Sequence, residues 1–412
     1  MADQAIEVLS NECPMAAQVT HYQPSASEMQ RSNNTYWLEV EQETELLDGW
    51  DITGKDNGII QPVVPCTLGE PENDFFALRA DDVRDERSLR NRMTTAYKKH
   101  ASSVEASIAN NAARTGSLCV TAGDIVNGGW DFLADADELL VSRELQTTSG
   151  TSFYMNPTDY KKAGGDLAGK DMYGRIPEDA YTSGNLQNQI AGFNSVYRSP
   201  KLPTLKGSSA TAKVNGAQSF KPQASETDVD GNPKNIDHRV AVVPMKPGHG
   251  LKDGDKISYA GVKFLSQMTK NLLTHDATFS VVAVNGNNVT IMPKPIALDD
   301  ASLSREERAF ANVNTTLTDD MAVTVINAKD AQTNVFWADD SITLVSQPIP
   351  ANHELLSGMK VMPFSVPNVG LNGVVAFQGD IGTMAGKART MVWYAACNKR
   401  PEASGIGISG QS

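Results

Sequence analysis

The sequence predicts an α+β protein of several folded units, one of them a small, separate all-β barrel or sandwich. Three observations carry this. An isolated helical stripe runs from Asp85 to Gly116, a strand-and-turn arm precedes it, and residues 207–328 carry the patterning of an all-β unit. At 412 residues the chain is longer than one hydrophobic core usually serves, so two or three units are the starting expectation.

In chain order, residues 1–34 are weakly patterned. Pro14 and Pro24 break any long helix, and Gln30-Arg31-Ser32-Asn33-Asn34 is polar, which predicts a partly ordered N-terminal arm. Residues 35–80 read as strands. Thr35-Tyr36-Trp37-Leu38-Glu39-Val40-Glu41 alternates, turn signals follow at Asp48-Gly49, Gly54 and Asn57-Gly58, and Ile59 to Val64 is a second extended run. Such a β-arm has too few residues for a core of its own.

Residues 81–116 hold the clearest helix. Leu89, Met93, Tyr97, Ala101, Val104, Ile108 and Ala112 recur at steps of three and four, and Gly116 suits a C-terminal stop. About 28 residues at 1.5 Å each give a helix of roughly 40 Å.

Residues 117–206 mix short elements. Trp130 to Leu140 is an amphipathic helix, Phe153-Tyr154-Met155 a short strand, and Gly164, Gly165, Gly169 and Gly174 predict a flexible loop. Ser199-Pro200-Lys201-Leu202-Pro203 reads as an extended linker. Residues 207–328 are all-β. The run from Thr278 to Val284, the turn Asn285-Gly286-Asn287-Asn288 and the run Val289 to Met292 make a hairpin. Asp255 to Phe264 adds two candidate strands, and Glu226 to Pro233 forms an acidic loop too polar for a core. Residues 329–412 return to a mixed pattern, with strands expected at Ser341 to Val345, Leu371 to Phe377 and Thr390 to Ala396, and an extended glycine-rich tail at Gly405 to Gly410.

Charge and motifs narrow the function. The formal net charge is −13, which argues against a protein that coats nucleic acid by neutralising phosphates. The N-terminus lacks the basic and apolar regions of a signal peptide, and no stretch approaches the roughly 18 apolar residues of a membrane span. Cys13, Cys66, Cys119 and Cys397 lie far apart, which predicts buried thiols and neither a disulfide framework nor a zinc site. The tail matches G-x-G-x-x-G, but no helix can follow it to receive a phosphate. Asp228-Val229-Asp230-Gly231-Asn232 begins like a calcium loop and then fails, with Pro233 where glycine is needed and Arg239 where the bidentate glutamate belongs. His21, His100, His238, His249, His275 and His353 show no ligand spacing, and His100 reads as a structural histidine beside the helix stripe. No nucleophile elbow or P-loop occurs. These readings predict no catalytic residues, no cofactor and no metal.

Several stretches carry a resemblance. Met29 to Ser32, Gly69 to Asp82, Asn156 to Gly164, Asn334 to Asp340 and Ser346 to Leu355, in this order from about residue 25 onward, resemble the coat protein of the Lederbergvirus group, the short-tailed Salmonella phage type. The resemblance implies the tailed-phage and herpesvirus major-capsid fold (the HK-ninety-seven type). In it, 35–80 is the extended E-loop, 81–116 the spine helix of the P domain, 117–206 and 329–412 the A and P domains, and 207–328 the inserted I domain. The implied function is a major capsid protein: hexamers and pentamers assemble with a scaffolding protein and a portal protein into a procapsid in the bacterial host cytoplasm, which expands on packaging double-stranded DNA into the virion capsid. The resemblance further implies that Asp228 and Asp230 belong to an acidic inter-capsomer loop. Asp237 and Arg239 lie at its end, with Arg239 or Lys234 as candidate basic partners. Two alternatives stay open: a tail or decoration protein that closes no shell, and a hydrolase hidden in the A-domain-like region.

Overall fold

The computed structural model describes the chain apart from residues 1, 26–32, 41–43, 45–46, 48, 52, 55–59, 80–85, 124, 127, 146–149, 170–189, 223–236, 238, 349–357, 381–384 and 412. Two compact units emerge. The first comprises 1–37, 66–109 and 342–397, and the second 38–65, 110–341 and 398–412.

The first unit is built on a four-stranded antiparallel sheet in the order Lys360–Val366, Leu371–Asp380, Ala385–Val392, Glu72–Arg79. Most of the long helix, which runs from Glu86 to Thr115, belongs here. Met93, Tyr97, Ala101, Val104, Ile108 and Ala112 of its stripe are all buried, as the spacing predicts. Tyr97 meets Phe364 edge to face at 6.1 Å, and His100 Nε2 lies 3.0 Å from Thr390 Oγ1. His100 is therefore a satisfied structural histidine.

The N-terminal segment is more ordered than its patterning predicts. Ala2–Glu12 forms a helix whose Ala5 and Leu9, one turn apart, are buried. Met15 N and Ala16 N donate to Glu105 Oε1 of the long helix at 2.8 and 3.2 Å. Thr20–Tyr22 then pairs in parallel with Thr343 to Val345. The proline signals mark the ends of these short elements; two buried apolar residues one turn apart, Ala5 and Leu9, supply the docking that a weak pattern conceals.

Two sheets of the second unit carry its described core. A mixed five-stranded sheet runs Leu118–Thr121, Ser404–Ile408, Ala331–Ala338, Thr151–Met155, Ser195–Arg198, with parallel pairs at both edges. The helix Gly129–Ser142 covers it, and Phe153 stacks on Phe336 at 5.6 Å while Phe132 and Phe193 meet Phe153 edge-on. The glycine-rich tail is a strand inside this sheet. A Cβ on Gly405 would lie 2.5 Å from Leu118 O, and one on Gly407 would lie 2.4 Å from the Phe132 ring, so close packing explains both glycines.

The loop expected from Gly164 and Gly165 is instead the helix Pro157–Gly169. Asn156 Oδ1 accepts from Asp159 N at 2.8 Å at its first turn, with proline at its first position. Gly129 lies so close to Ala163 that a Cβ there would be 2.6 Å from the Ala163 Cα. Capping and this close approach override the low propensity of the glycines. Gly174 lies outside the described residues.

The second sheet is six-stranded and antiparallel, in the order Ala241–Pro244, Asn288–Met292, Leu272–Asn285, Lys256–Leu265, Ala322–Val325, Ala212–Lys213. Lys246 N donates to Lys213 O and Asn215 N to Pro244 O, both at 2.9 Å. These bonds join the two ends of the order, so the sheet closes into a barrel. Val243, Ile257, Tyr259, Phe279, Val281, Val289 and Ile291 are buried in its core. The hairpin turn is Gly286-Asn287, between the paired Asn285 and Asn288, with Gly286 at φ 61°. The two strands expected between Asp255 and Phe264 are one strand with a register shift, where Gly261 sits at φ 79°.

Candidate functional site

The described part of the acidic region turns inward. Asp237 is 1% exposed. Its Oδ1 accepts from Lys294 Nζ at 2.8 Å, and its Oδ2 lies 3.6 Å from Arg239 Nη1. The backbone N–H of Asp237 donates to Val63 O of the arm at 2.9 Å. Arg239, in the left-handed region at φ 58°, donates its N–H back to Asp237 Oδ1 at 2.9 Å, and the φ value matches this tight return. Its Nη2 reaches Glu402 Oε2 at 2.5 Å. Glu402 lies in the turn Pro401–Ala403 that feeds the C-terminal strand. Burial works against the charge of Arg239, yet Glu402 first and then Asp237 outweigh it and raise its pKa.

Beside this network, Arg400 Nη1 pairs with Asp340 Oδ2 at 2.5 Å. The charged groups enclose a cavity of about 30 Å³, lined also by Val40, Ile296 and Phe310. That is room for one ordered water, and Arg239, which also lines it, has a buried Nε without a hydrogen-bond partner among the described residues. The arrangement fastens together the entry to the barrel, the exit of its hairpin and the C-terminal segment. It acts as a clasp, because its charged groups are spent on one another.

Asp228 and Asp230 lie outside the described residues, as does Lys234. Asp237 and Arg239, grouped with them in the sequence, are committed within their own chain. Sequence reasoning missed Lys294 and Glu402 because both partners are remote in the chain. The available signal was weak: charged residues interrupting apolar runs, at Pro293-Lys294-Pro295-Ile296 and Arg400-Pro401-Glu402-Ala403.

Other buried polar groups are structural too. Asp159 Oδ2 accepts from Asn156 Nδ2 and Asn334 Nδ2, both at 2.8 Å, and from Ser409 Oγ at 2.9 Å. Lys256 Nζ donates to Gly116 O at 3.0 Å and to Ser280 Oγ. Burial pushes its pKa down to about 8, with the nearby Cys119 opposing. Among the described residues, no three His, Cys, Asp or Glu side chains group to hold a metal ion, and no helix is long and apolar enough to cross a membrane.

In the first unit, the four-stranded sheet leaves an apolar groove of about 450 Å³, lined by Phe75, Met359, Val361, Val374, Phe377 and Met391. Phe75 is 58% exposed. In the second unit, Trp50 of the arm stands fully exposed. Open apolar surface of this kind marks a protein that completes itself against others.

The described residues thus show charged groups committed to holding the fold together and apolar surface left open in the first unit. The family model described as "P22 coat protein - gene protein 5" matches residues 1–410, and the chain belongs to that family. It is a phage major capsid protein, a non-catalytic component of an icosahedral shell and thus of the virion. Among solved structures, the "CUS-3 coat protein I-domain" is 31% identical, covering 29% of this chain and 99% of that one, with a TM-score of 0.24. The capsid of the cyanophage P-SCSP1u is 12% identical, covering 96% and 87%, with a TM-score of 0.46. Mycobacterium phage Che8 gives 10% identity, 93% and 88% coverage, and a TM-score of 0.44.

Proposed function

We propose that this coat protein is of the Lederbergvirus type. It assembles with a scaffolding protein, from a portal ring, into a procapsid in the host cytoplasm, and the procapsid expands as double-stranded DNA is packaged. The observation that carries the reading is the family match across residues 1–410, joined to the ordered series of resembling stretches from Met29 to Leu355. In this reading 1–34 is the N-terminal arm, 35–80 the E-loop, 81–116 the spine helix and 207–328 the I domain, with 117–206 and 329–412 making the A and P domains. The closed barrel between residues 212 and 325 supports the I-domain assignment, and the exposed Trp50 supports an arm that buries itself on a neighbour.

Asp228 and Asp230 are the inter-capsomer acids of this reading, and Arg239 is not their partner because Glu402 and Asp237 already engage it. Exposed pairs contribute about 0–1 kcal/mol each, so their effect comes from repetition over the shell. Asp228→Asn with Asp230→Asn is expected to leave the monomer's unfolding unchanged while shells dissociate at lower denaturant. Shells of unchanged resistance would remove these acids from the interface. For the wider reading, small-angle scattering should give a larger radius for DNA-filled heads than for scaffold-filled particles; equal radii would contradict expansion.

A further inference from the structure

The cavity in the clasp of the second unit is lined by more positive than negative charge. Arg239, Lys294 and Arg400 line it with two carboxylates, Asp237 and Glu402, so one cation is in excess. Both carboxylates are turned onto cations. Asp237 Oδ1 accepts from Lys294 Nζ at 2.8 Å, and its Oδ2 lies 3.6 Å from Arg239 Nη1. Glu402 Oε2 lies 2.5 Å from Arg239 Nη2. The carboxylate that balances Arg400 is Asp340, 2.5 Å from its Nη1, and Asp340 is not part of the lining. A second observation points the same way. Arg239 Nε is buried without a hydrogen-bond partner among the described residues, and a buried donor left unpaired calls for an acceptor. The amide of Asn312, also on the lining, is already spent: its Nδ2 donates to Lys294 O at 2.8 Å and its Oδ1 accepts from Ile296 N at 2.9 Å.

We propose that this cavity is a binding site for a monatomic anion, a halide such as chloride, held by Arg239, Lys294 and Arg400. Size selects the ligand. About 30 Å³ suits an ion little larger than water, whereas phosphate and sulfate, with four oxygens around a centre, do not fit. A water would accept from Arg239 Nε but leave the excess charge standing; a halide answers both. Val40, Ile296 and Phe310 complete the wall, and their low polarity strengthens the attraction between the ion and its cations. The three cations come from the entry to the barrel, the exit of its hairpin and the C-terminal segment, so the ion fastens all three segments at one point. The unfolded chain has no such site, so stability rises with halide concentration by mass action. This inference stands apart from the assembly reading above.

The experiment compares thermal unfolding of the full-length, unassembled chain in sodium chloride and in sodium gluconate at matched ionic strength, which holds screening constant. The chain should melt about 3 °C higher in chloride, with a rise that levels off as the site fills. Arg400→Gln removes the excess cation from the lining and should abolish the difference between the two salts. Crystals of the wild-type chain grown in sodium bromide should show an anomalous peak within hydrogen-bonding distance of Arg239 Nε. Equal melting in the two salts, a chloride effect that survives in Arg400→Gln, or a cavity that holds only water in bromide would overturn the proposal. If Arg400→Gln fails to fold, the bromide peak in the wild-type chain decides.

Discussion

Replacing Lys256 by methionine removes a charge from the interior of the second unit, and the structure predicts the sign and size of the effect. Burial lowers the Lys256 pKa from 10.5 to about 8, and the opposing influence of Cys119 is small. Burial also pushes the Cys119 thiol up to about 12, so it offers no thiolate to pair with the ammonium. At 1.36 kcal/mol per unit, the fall in the Lys256 value corresponds to about 3 kcal/mol between the charged and neutral forms. Because the folded pKa lies below the unfolded one, the unfolded chain binds the extra proton between pH 8 and 10.5. Stability from this residue therefore rises with pH across that window and is least below pH 8. Methionine fills similar space without the charge. Gly116 O keeps a donor in Ser280 Oγ at 2.7 Å, so no buried carbonyl is orphaned. Denaturant unfolding of the full-length monomer, followed by tryptophan fluorescence at pH 7.5 and pH 10, measures the effect. Lys256→Met should be about 1–3 kcal/mol more stable than wild type at pH 7.5, and the gap should narrow to within about 1 kcal/mol by pH 10. A variant less stable than wild type by more than about 1 kcal/mol at pH 7.5, with a difference independent of pH, would refute the reasoning.

Other consequences follow from the clasp and the close approaches. Glu402→Ala leaves Arg239 without its nearest carboxylate and should destabilise the second unit by about 3–5 kcal/mol in denaturant unfolding; a loss under about 1 kcal/mol would show that the pair is solvated. Gly405→Ala places a Cβ against the Leu118 carbonyl and should cost about 3 kcal/mol. Gly410→Ala meets no atom within 4 Å, though its φ of 74° still adds strain, so it should cost about 1 kcal/mol; thermal melts of the two variants should differ accordingly. Burial raises the Asp339 pKa to about 6, against the Ser152 hydrogen bond and helped by Asp340. Its folded value exceeds the unfolded one, so its contribution is fully present below pH 3.8 and is lost as pH rises to 6. Asp339→Asn should flatten that dependence by about 1 kcal/mol after allowance for solvent screening, and an unchanged pH profile would contradict the assignment.

What the sequence discloses depends on the range of the interaction. The long helix is legible because its seven apolar residues recur within one element, and all of the stripe from Met93 to Ala112 is buried. The hairpin around Gly286 is legible for the same reason, since a two-residue turn with positive φ selects glycine locally. Barrel closure is not legible. It rests on the pairing of residues near Lys213 with residues near Lys246, and so short a ladder leaves no period. The tail is extended, as its composition suggests, but its place inside a sheet is not legible; only the Phe132 ring and the Leu118 carbonyl explain why Gly405 and Gly407 sit there. At the clasp, composition marked Asp237 and Arg239 as charged but gave only a weak sign of Lys294 and Glu402, and none of their pairing. Ion pairs across such distances obey no spacing rule, so the acidic run suggested an outward surface for residues that the fold turns inward.

Electron microscopy of the full-length chain co-expressed with its phage's scaffolding protein tests the central claim most directly. A shell-forming coat protein should give uniform closed particles with scaffold inside and five- and six-fold clusters on the surface. Folded monomers or irregular aggregates alone, with scaffolding protein present, would contradict it.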